Sequence, residues 1–134
     1  MRGDLAARRI LGLPVNCMTH KERVWLGVAL YHRYAGTKQN KPRPAELEAL
    51  LGERHRAQAI TVGLALRFAL IFTAGTKNYL QDIRLELDDS MITLHVNKVA
   101  RPLFDAACAR RFNALAESAG RQPQVVFCED HDAA

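Results

Sequence analysis

Five histidines, three cysteines and an adjacent pair of aspartates are the residues whose chemistry has to be weighed first. The histidines are His20, His32, His55, His95 and His131. None stands in an H-E-x-x-H pattern, and no C-x-x-C pair accompanies them, so the usual zinc spacings are missing. His131-Asp132 is formally a histidine–aspartate dipeptide, but it lies in a polar tail where nothing would hold a metal rigidly. Asp88 and Asp89 adjoin each other in a stretch with turn chemistry, where their side chains diverge instead of facing a shared cleft. Ser90 and Ser118 have no base in view. There is no G-x-G-x-x-G, P-loop or G-x-S-x-G. Cys17, Cys108 and Cys128 are odd in number and far apart, which implies no disulfide framework and a reducing cytoplasm. Cys17 precedes a helix start, a place that can lower a thiol pKa; a half-buried, inert thiol is the expectation there. These residues predict no catalytic group and no metal ligand in the chain.

The remaining signal is cationic. The 134 residues carry a formal charge of +5, and the pI is about 9.4, which favours anionic partners. Lys21 and Arg23 fall in the first turn of a helix, where the helix dipole is already positive. An anion would relieve both, unless Glu22 neutralises the turn. Arg33 lies near the end of the same helix. Lys38, Lys41 and Arg43 share a polar loop able to follow a polyanion, or simply to be solvated. Arg67 interrupts an apolar face and needs a partner; a carboxylate is expected, with Glu22, Asp82 and Glu86 as candidates.

The elements that must position these groups follow from pattern and punctuation. A short helix is expected over Asp4–Leu11, broken by Gly12 and Pro14. Thr19 and Glu22 fit a capping box for a helix that runs to Ala35 and is stopped by Gly36. That helix is apolar nearly all round and should be buried. Pro44 suits the start of a short helix ending at Gly52, and a long helix follows from Glu53 to Ala74, closed by Gly75. Gly63 inside it reads as a close-packing position. Ile83, Leu85 and Leu87, then Ile92, Leu94 and Val96, alternate with polar residues as a β-hairpin around Asp88–Met91. Pro102 opens a last helix with Phe104, Cys108, Phe112, Leu115 and Ala119 as its apolar stripe, and Gly120 ends it. A short strand is expected at Val125–Cys128, within a tail, 121–134, that is partly disordered. The predicted fold is mainly α, a single domain over 1–134 with a buried helical core and one antiparallel hairpin packed on it, giving some α+β character. The longest apolar stretch, Val62–Phe72, is too short for a membrane span and holds Arg67.

Two segments carry a family resemblance. Leu13–Gly36 holds His20-Lys21-Glu22-Arg23, then Leu26-Gly27-Val28-Ala29-Leu30, then Arg33-Tyr34-Ala35-Gly36. Arg56–Ala69 reads Arg56-Ala57-Gln58-Ala59-Ile60-Thr61-Val62-Gly63-Leu64-Ala65-Leu66-Arg67-Phe68-Ala69. Both resemble the carboxy-terminal helical domain of the exopolyphosphatase and guanosine pentaphosphate phosphohydrolase (Ppx/GppA) family, and the likeness covers roughly residues 4 to 127. The family's fold in this region is HD-like. Its members hydrolyse a terminal phosphate in an amino-terminal pair of actin-like domains with glycine-rich phosphate loops, catalytic carboxylates and Mg²⁺. None of those motifs is in this chain, and the histidine–aspartate segment would lie upstream of Met1. The resemblance therefore implies an accessory domain without its own catalytic site or cofactor. Such a domain would help to hold polyphosphate through Lys21, Arg23, Arg33, Lys38, Lys41 and Arg43, and would join a homo-oligomer or the amino-terminal domains. With its upstream part missing, apolar surface on the helix Thr19–Ala35 should be left uncovered and drive self-association. A basic module for nucleic acid or regulatory binding is the alternative.

Overall fold

The structure, a computed structural model, describes residues 2–14, 16–36, 45–74 and 77–128. It is mainly helical, with a small mixed sheet. Among the described residues the order is α1 (Arg2–Gly12), α2 (His20–Ala35), α3 (Ala45–Ala49), α4 (Glu53–Phe72), β1 (Ile83–Leu87), β2 (Met91–Asn97), α5 (Ala106–Ser118) and β3 (Gln122–Cys128). The chain divides into two compact units, Met1–Arg67 and Phe68–Ala134, and the division falls inside α4.

In the first unit, α2 starts as its capping box requires. The Thr19 hydroxyl accepts from Glu22 N–H at 3.3 Å, and the Glu22 carboxylate accepts from Thr19 N–H at 2.7 Å. Gly36 ends the helix with φ 66°, a conformation that disfavours any residue with a Cβ. α1 runs antiparallel to α2, because Gly3 lies against Tyr31 and Gly27 against Ala7. α4 runs parallel to α2: Ala59 shares a buried cluster with Val28 and Ala29, and Gly63 meets Ala29 and His32. Gly63 is a close-packing position, as its place in the sequence suggested. A Cβ there would strike the Ala29 carbonyl oxygen and come within 2.9 Å of His32 Cβ.

The second unit carries the sheet. β1 and β2 pair antiparallel as the expected hairpin, with Ile83 opposite Val96, Leu85 opposite Leu94 and Leu87 opposite Ile92. Asp88 fixes the turn by accepting from Ser90 N–H and Met91 N–H, both at 2.7 Å. β3 is longer than expected and pairs parallel with β2, Leu94 opposite Val125. The hairpin is thus two strands of a sheet ordered β1-β2-β3. α5 connects β2 to β3, and buries Cys108, Phe112, Leu115 and Ala116. Phe68 and Phe72, from the last turns of α4, stack near Phe112 and Phe104, with ring centroids 5.5 Å and 6.0 Å apart respectively.

Two helix ends differ from the sequence reading. Pro102 opens only a 3-10 turn, Arg101–Leu103. The α-helix begins at Ala106, because Asp105 caps it by accepting from Cys108 N–H at 2.7 Å, so Phe104 precedes the helix. At the end of α4 the left-handed residue is Ala74, at φ 50°, two residues beyond the last helical residue, Phe72; Gly75 lies outside the described residues. Gly120, at φ 67°, closes α5 as expected. Gly120 N–H donates to the Glu117 carbonyl and Arg121 N–H to the Ala116 carbonyl, the paired bonds of a Schellman motif.

Candidate functional site

Of the six cations singled out from sequence, three can be placed, all on α2. Lys21 is exposed and Arg23 half-buried in its first turns, and Arg33 is half-buried in its last. Lys21 and Arg33 are twelve positions apart, which is about 18 Å along a helix, so they do not form one compact site. Lys38, Lys41 and Arg43 lie outside the described residues.

The start of α2 already holds an anion of its own. The Glu22 carboxylate takes both the N–H and the hydroxyl of Thr19, at 2.7 and 2.8 Å. The Thr19 backbone bond, followed by its side-chain bond, holds the Glu22 carboxyl below its ordinary value. Lys21 and Arg23 are its neighbours in the sequence. At the other end, the Arg33 guanidinium lies over the Tyr34 ring, 4.4 Å from its centroid, and donates to the Tyr34 hydroxyl.

Arg67 finds two partners that its place in the sequence did not suggest. Its guanidinium donates to the Arg33 and Tyr34 carbonyls, at 3.1 and 2.7 Å. It thus caps the C-terminal end of α2, where the helix dipole is negative and carbonyls lack helical partners.

The helix register brings together cations that sequence spacing kept apart. The pairs Gly63–Ala29 and Arg67–Arg33 set the parallel offset of α4 on α2. By that offset the exposed Arg54 and Arg56, at the start of α4, are level with the start of α2. The antiparallel pairs Gly3–Tyr31 and Gly27–Ala7 bring the last turns of α1, with exposed Arg8 and Arg9, towards the same end. One end of this unit therefore carries Lys21, Arg23, Arg54 and Arg56 in the first turns of two parallel helices, with Glu22 and Glu53 among them and Arg8 and Arg9 more than a turn further in. Arg54 lies far from Lys21 in the sequence. Its companionship with Lys21 depends on α2 and α4 running parallel, which no local pattern encodes.

A second feature escaped the sequence reading altogether. His32 is 3% exposed and Glu48 9%, and His32 Nε2 lies 3.0 Å from Glu48 Oε1. The pair ties α3 to α2. His32 Nδ1 is buried with no hydrogen-bond partner among the described residues. The only available signal was a histidine inside a helix that is otherwise apolar all round, since such a group must find a partner.

The thiols also differ in setting. Cys17 is exposed, not half-buried as expected; Cys108 is buried, and all three cysteines are free. Burial pushes the Cys108 thiol up. Among the described residues no three His, Cys, Asp or Glu side chains converge as metal ligands, and no helix is long and apolar enough to cross a membrane.

No protein-family model and no curated protein sequence matches the chain. The Ppx/GppA likeness rests on the two segments quoted above.

Proposed function

We propose that this chain is an accessory helical domain of an exopolyphosphatase-type phosphohydrolase, holding polyphosphate by charge and contributing to self-association, with no catalytic site of its own. In this reading the Mg²⁺ and the catalytic carboxylates belong to separate amino-terminal domains, and the protein works in the reducing cytoplasm, consistent with its free cysteines. The observation that carries the polyanion half is the partition of charge. Unit 1 has 12 Lys and Arg against 5 Asp and Glu, a net +7, whereas unit 2 has 7 against 9, a net −2. A chain whose basic residues were only a solvating coat would not need to concentrate them so. The cationic end around Lys21, Arg23, Arg54 and Arg56 presents them without demanding any base-specific contact, which suits a uniform phosphate chain.

The test is a titration of the whole chain with polyphosphate at several salt concentrations. Each phosphate contacted should contribute about −0.7 to the slope of log K against log salt, by analogy with single-stranded nucleic acid. Changing Lys21, Arg23, Arg54 and Arg56 to alanine should flatten that slope by roughly two to three units. Changing Lys38, Lys41 and Arg43 measures the loop's share. Tighter binding to DNA or RNA of equal charge would favour a nucleic-acid module instead, and no binding of any polyanion at low salt would refute the charge argument.

A further inference from the structure

We infer that the free edge of β1 is a seam for a second copy of this chain, paired antiparallel about a two-fold axis at Leu85. The inference names the surface for the self-association proposed above, and rests on that part of the reading alone. Among the described residues β1 is an edge strand, paired with β2 on one side only. The phase of its hydrogen bonds can be worked out. Asp88 N–H donates to the Met91 carbonyl, so Asp88 and Met91 form the bonded pair that closes the hairpin. Bonded and non-bonded pairs alternate along an antiparallel ladder. Leu87–Ile92, Leu85–Leu94 and Ile83–Val96 are then non-bonded pairs, and the N–H and C=O groups of Ile83, Leu85 and Leu87 point to the open edge.

The side chains agree with this. Leu85 is 42% exposed and Leu87 57%, although their partners across the hairpin, Leu94 and Ile92, are buried. β1 thus carries the apolar face of the sheet past the part that is covered. Arg84 and Glu86 occupy the other face, 2.8 Å apart and both exposed. The strand has no proline and no lysine, and its two charges, Arg84 and Glu86, are paired with each other, which weakens their protection of the edge.

Two-fold pairing about Leu85 answers each feature at once. Leu85 meets Leu85 of the second copy, and Ile83 meets Leu87, each pair exchanging the outward N–H and C=O groups. Arg84 falls opposite Glu86 of the second copy, and Glu86 opposite Arg84, as closely spaced non-bonded pairs. The order of charges along β1 is therefore complementary to itself when reversed, as a two-fold seam requires. The two sheets join into one.

The experiment uses the full chain. Sedimentation over a concentration series should show a monomer–dimer equilibrium. Amide exchange should slow with concentration at Ile83, Leu85 and Leu87 and stay unchanged at Arg84 and Glu86, whose N–H groups already face β2. Arg84→Glu, or Glu86→Arg, sets like charges across the axis twice and should weaken the dimer about tenfold or more. The double exchange Arg84→Glu with Glu86→Arg should restore it, and its carboxylate then stands directly across from His95, preserving that contact in kind. A dimer indifferent to Arg84→Glu, with no change at those amides, overturns the seam while leaving self-association intact. A chain that stays monomeric at high concentration overturns both, and the polyphosphate titration stands independently of either result.

Discussion

Replacing Gly63 by alanine should loosen the first unit even though alanine is the better helix former. Alanine in a helix interior is favoured over glycine by about 1 kcal/mol. Against that gain, the added methyl would strike the Ala29 carbonyl oxygen, and would lie 2.9 Å from His32 Cβ and 3.2 Å from the Ala29 carbonyl carbon. Two of the three obstacles are backbone atoms, which cannot rotate aside. Relief requires α2 and α4 to separate, which opens the Val28–Ala29–Ala59 cluster and strains the register that brings Arg67 to its carbonyls. Overpacking of a tight core costs about 1–3 kcal/mol, and a backbone clash belongs at or above the top of that range, so the net loss should be about 2 kcal/mol. With a urea m-value of about 1–3 kcal/mol/M, the midpoint should fall by roughly 1 M. Trp25, the one tryptophan in the sequence, packs against that cluster, and its fluorescence reports the transition. Gly12→Ala is the control: nothing lies within 4 Å of a Cβ there, so it should be neutral or stabilising by up to about 1 kcal/mol. A Gly63→Ala protein at least as stable as the parent would refute the close approach of the two helices.

Ala74→Gly should stabilise the end of α4 by about 1 kcal/mol, since Ala74 holds φ 50° and a left-handed residue with a Cβ carries that strain; thermal unfolding checks it. Glu48→Ala should cost about 1–3 kcal/mol, because it strands a buried His32 whose Nδ1 already lacks a partner among the described residues; a smaller loss would mean that water or another group takes over Nε2. For acid stability the sign follows from Glu22, whose pKa is lowered by Thr19. A depressed carboxyl contributes stability above its unfolded value, and loses it as pH falls through 4.5 and below. Thr19→Ala should therefore lower stability at neutral pH and flatten its decline between pH 5 and lower values; parallel pH curves for the two proteins would show that the cap does not titrate with folding.

What the sequence revealed and what it concealed separate by range. The Thr19–Glu22 box, the Gly120 stop and the alternation through Ile83, Leu85 and Leu87 are local patterns, and each appears in the structure as read. The start of α5 was misread locally, because Pro102 and Asp105 both offer a helix opening and only the aspartate side chain can take an N–H. The remaining differences are long-range. The parallel run of α4 beside α2, the Arg67 caps on Arg33 and Tyr34, the His32–Glu48 pair and the parallel β3 each join residues far apart in the chain, where periodicity is silent. The cationic end belongs to this group: its arginines were visible singly, and only the helix register assembles them.

The parallel placement of β3 has a kinetic consequence. The β1–β2 turn closes between neighbours, and hairpins of this kind form in about 1–10 μs. β3 can dock only after the 24 residues between Asn97 and Gln122, including all of α5, have been brought round. Closing a loop of that length adds entropy cost before any new bond forms, so the hairpin should precede the completed sheet. During that interval β2 has an open edge of its own, lined by the backbone groups that later receive Gln122 to Cys128. Refolding at high concentration should then be in competition with aggregation through that transient edge, and diluting the chain, or anything that speeds formation of α5, should raise the yield.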